Sequence, residues 1–370
     1  MQSEKLKILF AAGGTGGHLF PAITIASEIR TQYPNSKICF VGTKNKIESK
    51  IVPQKGFEIF FISANSFQRK ISIKNFILIF QLIFSFIQSF FLLLKIKPNV
   101  VVGTGGYVCG PIVFVSSILK IPTLIHEQNI FPGITTKILS KFVDEIHISF
   151  EEARKFFKVK QEKIFLTGNP VKFGKNISQS EALNYFGFNE NESFKTILIF
   201  GGSLGASSIN NTIINIIDKL LEKNIRIIWQ TGETSFEKIQ TKVLNFKTKY
   251  ISLKKFIDRM DFAYLISDLV ICRAGATTIS ELTYFGKASI LIPYPVASEN
   301  HQYENAKFLS EKNAAEIILD SDIENELEKK IFKILFDETK IKSLEKSAIS
   351  LANKNSVNEI VNHIVNLSKT

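Results

Sequence analysis

Short apolar runs rich in Val, Ile and Phe alternate with longer amphipathic segments along nearly the whole chain. Such runs, bounded by glycine, suit strands of a parallel sheet buried on both faces, and the amphipathic stretches between them suit covering helices. The pattern predicts a strand over residues 6–12, a glycine turn over 13–17, a helix over 21–30 and a strand over 37–41. Further strands are expected over 100–102, 123–126, 145–149 and 164–167, with a helix opened by Gly110-Pro111. After Gly168-Asn169-Pro170 the alternation restarts with strand 196–200, glycine turn 201–206, helix 208–222 and strand 225–230, then a loop over 256–260 before a short helix. The next unit reads as strand 269–272, a turn at Gly275, a helix through Glu281 to Tyr284 stopped by Gly286, and strand 289–292. Thr277 and Thr278 offer cap oxygens at that helix start. Strands alternating with helices place the chain in the α/β class, and the two starts predict two Rossmann-like domains, residues 1–169 and 170–351.

The run from Phe76 to Leu94, FILIFQLIFSFIQSFFLLL, departs from the pattern because it is apolar almost all round. Its 19 residues reach the length of a membrane span. Gln81, Ser85, Gln88 and Ser89 nevertheless share one helical stripe, and the segment lies between strands. We read it as a sheet-covering helix whose remaining apolar surface dips into an anionic membrane surface, with Lys70, Lys74, Lys95 and Lys97 binding headgroups. A helix buried outright in the core is the plainer alternative.

With 370 residues the chain is long for one core, which again points to two domains. The formal charge of +12 calls for anionic partners: nucleic acid, acidic lipid or a phosphorylated substrate. Composition does not choose among them, and no nucleic-acid recognition motif is present. Cys39, Cys109 and Cys272 are far apart, show no metal-ligand spacing and suit reduced cytosolic thiols. The apolar run after Lys5 and Lys7 stops at Gly13, too short for the core of a secretory signal, so the chain is expected to stay in the cytoplasm.

Loops at the carboxyl ends of parallel strands line the ligand crevice, and glycines there let a phosphate approach backbone N–H groups. Gly13-Gly14-Thr15-Gly16-Gly17-His18 occupies such an edge, although it has neither the Lys-Ser or Lys-Thr ending of a Walker loop nor dinucleotide spacing. His18, at the helix entrance, is a candidate base, with a capping or packing role as the alternative. Gly103-Thr104-Gly105-Gly106-Tyr107 and Glu127-Gln128-Asn129 mark two more edges of the same half, and Gly201-Gly202-Ser203-Leu204-Gly205-Ala206 repeats the device in the second. The helix start after Gly275 offers N–H groups and a positive dipole end to a diphosphate. Glu281, one turn in, is placed to accept from sugar hydroxyls or, more simply, to complement the dipole. Glu299, Asn300, His301, Gln302 and Asn305 add hydrogen-bonding groups. Facing edges would form one cleft for a nucleotide and an anionic second substrate. Asp320-Ser321-Asp322 has the spacing used by metal-dependent sugar transferases, but it lies away from every glycine edge and reads as a surface turn.

Taken in order, GGTGGH (13–18), GTGGYVCGP (103–111), HEQN (126–129), GNPV (168–171), GGSLGA (201–206), FID-M around Ile257, CRAGATTISE (272–281) and HQYENA (301–306) resemble the bacterial peptidoglycan glycosyltransferases that add N-acetylglucosamine to lipid I. The resemblance spans nearly the whole chain. It implies the GT-B architecture, two Rossmann-like domains facing across a cleft, with the last helix, in residues 352–370, returning to the N-terminal domain. It further implies UDP-N-acetylglucosamine as donor and lipid I, the undecaprenyl-linked muramyl-pentapeptide, as acceptor. Ser203, Ala276 and Thr277 would contact the diphosphate, the Ile257 backbone the uracil, Glu281 the ribose, and Gln302 with Asn305 the sugar hydroxyls. Thr15, Gly16, Gly17 and Asn129 would close on the donor, and His18, Tyr107 and Glu127 would surround the acceptor. Lys172 stands where the family commonly has arginine, keeping a point charge for phosphate without the bidentate fork. His301 replaces a frequent glutamine.

The implied reaction is attack of the muramyl 4-hydroxyl on the anomeric carbon with inversion, His18 or Glu127 taking the proton. Helix dipoles and N–H groups would stabilise the leaving diphosphate, with no metal and no cofactor. The implied place is the cytoplasmic face of the inner membrane, peripherally bound, in cell wall biogenesis, cell shape and division, with no nucleic-acid partner. A glycolipid synthase or a UDP-N-acetylglucosamine epimerase would use similar halves, but an epimerase has no use for an exposed membrane helix. A non-catalytic membrane-surface protein is the remaining reading, against which the intact loops at both edges count.

Overall fold

A computed structural model describes residues 6–64, 73–174, 177–190, 194–202, 205–246, 248–297 and 300–369, with only the backbone path for 73–79 and 248. Packing divides the chain into two compact units, Met1–Lys172 with Asn353–Thr370, and Phe173–Ala352.

The first unit carries strands β1 (Lys7–Ala12), β2 (Lys37–Gly42), β3 (Glu58–Phe61), β4 (Val100–Gly105), β5 (Thr123–Glu127), β6 (Glu145–Ile148) and β7 (Ile164–Leu166). They form one wholly parallel sheet in the order β3-β2-β1-β4-β5-β6-β7. Both faces are buried: Ile8, Phe10 and Ala12 enter one core, and Leu9 and Ala11 the other. The first core is covered by α1 (Gly16–Gln32) and α14 (Ser356–Leu367), whose Val357, Ile360, Val361, Ile364 and Val365 recur at helical spacing and are all buried. The second lies beneath α3 (Ile73–Ile96), α4 (Cys109–Ile118) and α5 (Ile134–Leu139).

The second unit repeats the plan with β8 (Lys195–Phe200), β9 (Ile225–Gln230), β10 (Ile251–Lys254), β11 (Leu269–Cys272), β12 (Ser289–Leu291) and β13 (Glu316–Ile317), ordered β10-β9-β8-β11-β12-β13 and again parallel. In each sheet the winding direction reverses beside the first strand, between β1 and β4 and between β8 and β11. A doubly wound sheet opens its crevice at such a reversal, so topology alone selects the edges that can bind.

Two expectations need correction. Helix α1 starts at Gly16, not Pro21, because the first helical N–H groups need no intrahelical acceptor and glycine is tolerated there. Gly16, Gly17 and His18 therefore form its first turn, and Pro21 lies inside it. Helix α10 (Ala276–Phe285) is entered through extended Gly275, and neither Thr277 nor Thr278 caps it; Gly286 ends it in the left-handed region (φ 61°), as expected. The polar stripe of α3 points inward: Ser85 and Ser89 are fully buried, their hydroxyls bonding the helix's own carbonyls, and Gln88 accepts from the Ser63 N–H. Small serines let α3 sit close on α4, which leaves Phe80, Ile83, Phe84, Ile87, Phe91 and Leu94 exposed in one stripe. Lys95 and Lys97 at its end are exposed, Lys70 lies outside the described residues, and only the backbone of Lys74 is described. Among the described residues no helix is long and apolar enough to cross a membrane.

Candidate functional site

At the reversal of the second sheet, β11 runs into Gly275 and the entrance of α10. The leading N–H groups of a helix have no intrahelical acceptor. Beside them the Thr277 hydroxyl is buried without a hydrogen-bond partner among the described residues. A turn further, the carboxylate of Glu281 accepts from the hydroxyl of Tyr264 at 2.9 Å. Tyr264, in α9 (Met260–Ile266), is wholly buried and stacks on Phe285. Burial pushes the Glu281 carboxyl up to about 7 against the opposing pull of the Tyr264 hydrogen bond, and burial likewise holds the Tyr264 phenol well above its usual range.

The neighbouring loops are braced from behind. Gln230, 3% exposed, donates to the Gly202 carbonyl at 3.0 Å and accepts from the Ile257 N–H at 2.9 Å, tying the ends of β8, β9 and β10 together. At Gly205 (φ 84°) a Cβ would lie 2.1 Å from the Thr231 carbonyl oxygen, so this loop closes onto its neighbour only as glycine. Arg273 bonds the Ile292 and Pro293 carbonyls, Ser208 and Asp320. Asp320-Ser321-Asp322 forms the expected turn at the surface, closed by the Asp322 N–H on the Leu319 carbonyl at 2.9 Å. Asp320 is also held by Arg273 and by Ser208 at the start of the helix after the 201–206 turn, so it is not remote from the glycine edges; Asp322 opens α12 (Ile323–Leu335).

At the reversal of the first sheet two glycine turns touch. A Cβ on Gly106 (φ 85°) would meet the Gly13 carbonyl oxygen at 2.1 Å. Beneath Gly13, the buried carboxylate of Glu48 accepts from the N–H groups of Gly14 and Thr43 and from the Thr43 hydroxyl, at 3.1, 2.9 and 2.8 Å. His18 lies beside them, its carbonyl held by the Thr104 hydroxyl at 2.8 Å and its Nδ1 3.0 Å from Gln128 Oε1. Thr15 and Gly17 are exposed, and Tyr107 is 48% exposed.

Several residues expected at the site have other work. Glu127 is 3% exposed and accepts from the Asn129 N–H (3.0 Å), the Asn129 side chain (3.3 Å) and the Gly133 N–H (3.1 Å). Nearly buried and bonded to its own loop, it clamps residues 127–133, which favours His18 over it as the base. Lys172 pairs with Glu28 of α1; burial pushes the Glu28 carboxyl up, but hydrogen bonds from Lys172 and Gln32 outweigh that and hold it low. The Lys172 side chain is 51% exposed, so a phosphate there would compete with Glu28 for it. Asn305, fully buried, donates to the Ala274 carbonyl at 3.2 Å and supports the α10 entrance from behind. The Ile257 N–H is taken by Gln230. Gln302, in α11 (His301–Glu311), accepts from the Tyr294 N–H at 2.9 Å. Ser203 lies outside the described residues.

Glu48, Gln230 and Tyr264 were not expected from the sequence, because a buried brace between distant loops leaves no local pattern. Glu145, His147 and His363 are the one group of three ligand-type side chains that lie together among the described residues. Glu145 Oε2 is 3.0 Å from His147 Nε2 and 2.9 Å from His363 Nδ1, so hydrogen bonds account for the group, which pins α14 to the amino end of β6.

The chain matches the glycosyltransferase family 28 N-terminal domain over residues 8–148 and the C-terminal domain of the same family over residues 196–364. It is 42% identical over 367 residues, 98% of each chain, to the UDP-N-acetylglucosamine–N-acetylmuramyl-(pentapeptide) pyrophosphoryl-undecaprenol N-acetylglucosamine transferase of Flavobacterium psychrophilum. It is 39% identical, over 98% of this chain and 99% of the other, to the protein of the same name from Acetivibrio thermocellus. The crystal structure of Acinetobacter baumannii MurG superposes with a TM-score of 0.76 at 28% identity, covering 98% of this chain and 99% of that one. A UDP-N-acetylglucosamine 2-epimerase, with a TM-score of 0.65 at 13% identity over 98% and 96% of the two chains, shares the fold alone. With both domains matched in order and near-full-length relatives at this identity, the chain belongs to glycosyltransferase family 28.

Proposed function

We infer that this enzyme transfers N-acetylglucosamine from UDP-N-acetylglucosamine to the muramyl 4-hydroxyl of lipid I, yielding lipid II for peptidoglycan synthesis. The observation that carries the reading is the entrance to α10, where helix N–H groups without an intrahelical acceptor or a side-chain cap stand with the partnerless Thr277 hydroxyl one turn from Glu281, in a chain whose full-length relatives bear this transferase name. An anion-seeking helix start beside a carboxylate fits a nucleoside diphosphate: N–H groups to the phosphates, Glu281 to the ribose hydroxyls. The Ile257 carbonyl, Gln302 and Ser203 complete the donor contacts in this proposal, and Phe173–Ala352 is the donor-binding domain.

His18 is the proposed base. As the acceptor hydroxyl attacks the anomeric carbon, His18 Nε2 takes its proton and the bond to UDP breaks on the opposite face, inverting the centre. Charge gathers on the departing diphosphate, where the leading N–H groups of α10 are already oriented. Tyr107, exposed beside the Gly105-Gly106 turn, is proposed to meet the acceptor, with Thr15, Gly16 and Gly17 completing that edge. The exposed stripe of α3 is the proposed seat on an anionic membrane surface, at the cytoplasmic face of the inner membrane where the acceptor's lipid tail resides. Supply of lipid II would link the enzyme to cell shape and division.

The test is transfer of labelled N-acetylglucosamine from its UDP donor to a lipid I analogue in detergent with EDTA present, comparing the native chain with His18→Ala and Glu281→Ala. Product from the native chain and its loss in both variants is the expected result. A native chain that only hydrolyses or epimerises the donor would overturn the acceptor assignment.

A further inference from the structure

We propose that Gln128 is a positioning residue that sets the tautomer of His18, so that Nε2 carries the lone pair that receives the acceptor's proton. The proposal rests on the reading of His18 as the base. Gln128 is 2% exposed, and its Nε2 lies 2.9 Å from both the Thr104 and the His126 carbonyl oxygens. Carbonyls only accept, so the amide nitrogen must face them; the reversed amide would lose both bonds and set its oxygen against two others. Oε1 is thereby turned to His18 Nδ1, 3.0 Å away, and an amide oxygen also only accepts. The proton of neutral His18 consequently resides on Nδ1. Nε2, which has no protein partner among the described residues, is left as the acceptor.

The orientation of Gln128 is itself anchored. His126 Nε2 lies 2.9 Å from the Gly168 carbonyl, which makes it the protonated nitrogen, and bare Nδ1 faces Gln128 Nε2 at 3.1 Å. Burial holds His126 down to about 3, so it stays neutral and its Nδ1 keeps accepting at every working pH. On the His18 side a Cβ at Gly105 would lie 2.5 Å from His18 Nδ1, so the backbone of that turn closes over the ring edge. A run of hydrogen bonds from Gly168 through His126 and Gln128 thus ends on His18, the two protons of the Gln128 amide being shared among the Thr104 and His126 carbonyls and His126 Nδ1. A free imidazole favours the opposite tautomer, with Nε2 protonated and useless as a base, so the fixed acceptor has something to overcome. The arrangement matches the general rule that the tautomer of a histidine is set by the partner of its other nitrogen.

The decisive measurement is the tautomer of His18 in the intact protein, read from ring nitrogen shifts of histidine-labelled enzyme. Its signal is assigned among the five histidines by comparison with His18→Gln. We expect the Nδ1–H form in the native chain and a shift toward Nε2–H in Gln128→Met. That variant should lower kcat roughly 10- to 100-fold, part of what a general base contributes, with both KM values little changed. A native chain with Nε2 protonated, or Gln128→Met with unaltered tautomer and kcat, would overturn the proposal. If the tautomer is as assigned but His18→Ala keeps full activity, Gln128 still orders the ring and it is the base assignment that fails.

Discussion

Binding of the donor should depend on pH through Glu281, and Tyr264→Phe should displace that dependence. The Glu281 carboxyl stands at about 7, raised by burial, and Tyr264 is the hydrogen-bond donor that restrains the rise. Ribose hydroxyls donate to the ionised form, so affinity should climb as pH rises toward 7 and level off above 8. UDP-N-acetylglucosamine is the right probe, because its diphosphate diester has no proton to lose in this range. Removing the phenol hydroxyl deletes a hydrogen bond to a charged group, worth roughly 1.5–3 kcal/mol. At about 1.4 kcal/mol per tenfold change, this raises the carboxyl by roughly one to two pH units. At pH 7 the ionised fraction would fall from about one half to roughly 1–9 per cent, and affinity by roughly 5- to 50-fold, recovering toward pH 9. Titration calorimetry of the native chain, Tyr264→Phe and Glu281→Gln between pH 6 and 9 tests this, with Glu281→Gln expected to bind weakly and without a pH profile. Native affinity flat across pH 6 to 8, or Tyr264→Phe unchanged at pH 7, would refute the reasoning.

Other perturbations have equally definite outcomes. His126 is held down to about 3 by burial, whereas the unfolded chain protonates it near 6.5. Its contribution to stability is therefore complete above about pH 6.5 and lost by about 1.4 kcal/mol per pH unit as pH falls toward 3. His147, also lowered by burial, adds to the same limb, and urea unfolding at pH 7, 6 and 5 should show His126→Gln with a shallower loss than the native chain. Phe84→Glu with Phe91→Glu, on the exposed stripe of α3, should release the protein from anionic liposomes, each phenyl group contributing about 2 kcal/mol of burial, and leave donor binding intact; unchanged pelleting would move the membrane seat elsewhere. Ile360→Ala, wholly buried where α14 meets α1, should cost the first unit about 2–5 kcal/mol in chemical unfolding. Burial pushes the Cys39 thiol up to about 11 and the Cys109 thiol up to about 12, and holds Cys272 higher still, so thiol reagents at pH 8 should label none of them in the native state.

Much of the fold was legible because local rules write it into the chain. Buried runs such as Ile197–Phe200, glycine at the turns after β1, β4 and β8, and Gly286 closing α10 are each dictated by a few neighbouring residues. Element ends were less legible: α1 begins at Gly16 because capping depends on where the N–H groups find partners, and Pro21 misleads when read alone. At the site, the carboxylates divided. Glu281 keeps a place beside the open helix entrance, whereas Glu127, equally conspicuous in the sequence, spends its lone pairs on Asn129 and Gly133. Lys172 and Asn305 were diverted in the same way, to Glu28 and to the Ala274 carbonyl.

The sequence by itself thus determined the α/β class, the two strand–glycine–helix starts, the family and the edges at which ligands are expected, since all of these follow from periodicity and from backbone freedom at glycine. Only the tertiary structure decided which polar groups remain available to a substrate. Hydrogen-bond capacity is finite, and whether Gln128, Gln230 or Tyr264 faces a ligand or another loop is settled by residues 17 to 110 positions away, brought to 2.9–3.0 Å by the packing of strands, while Glu127 is claimed by its own loop.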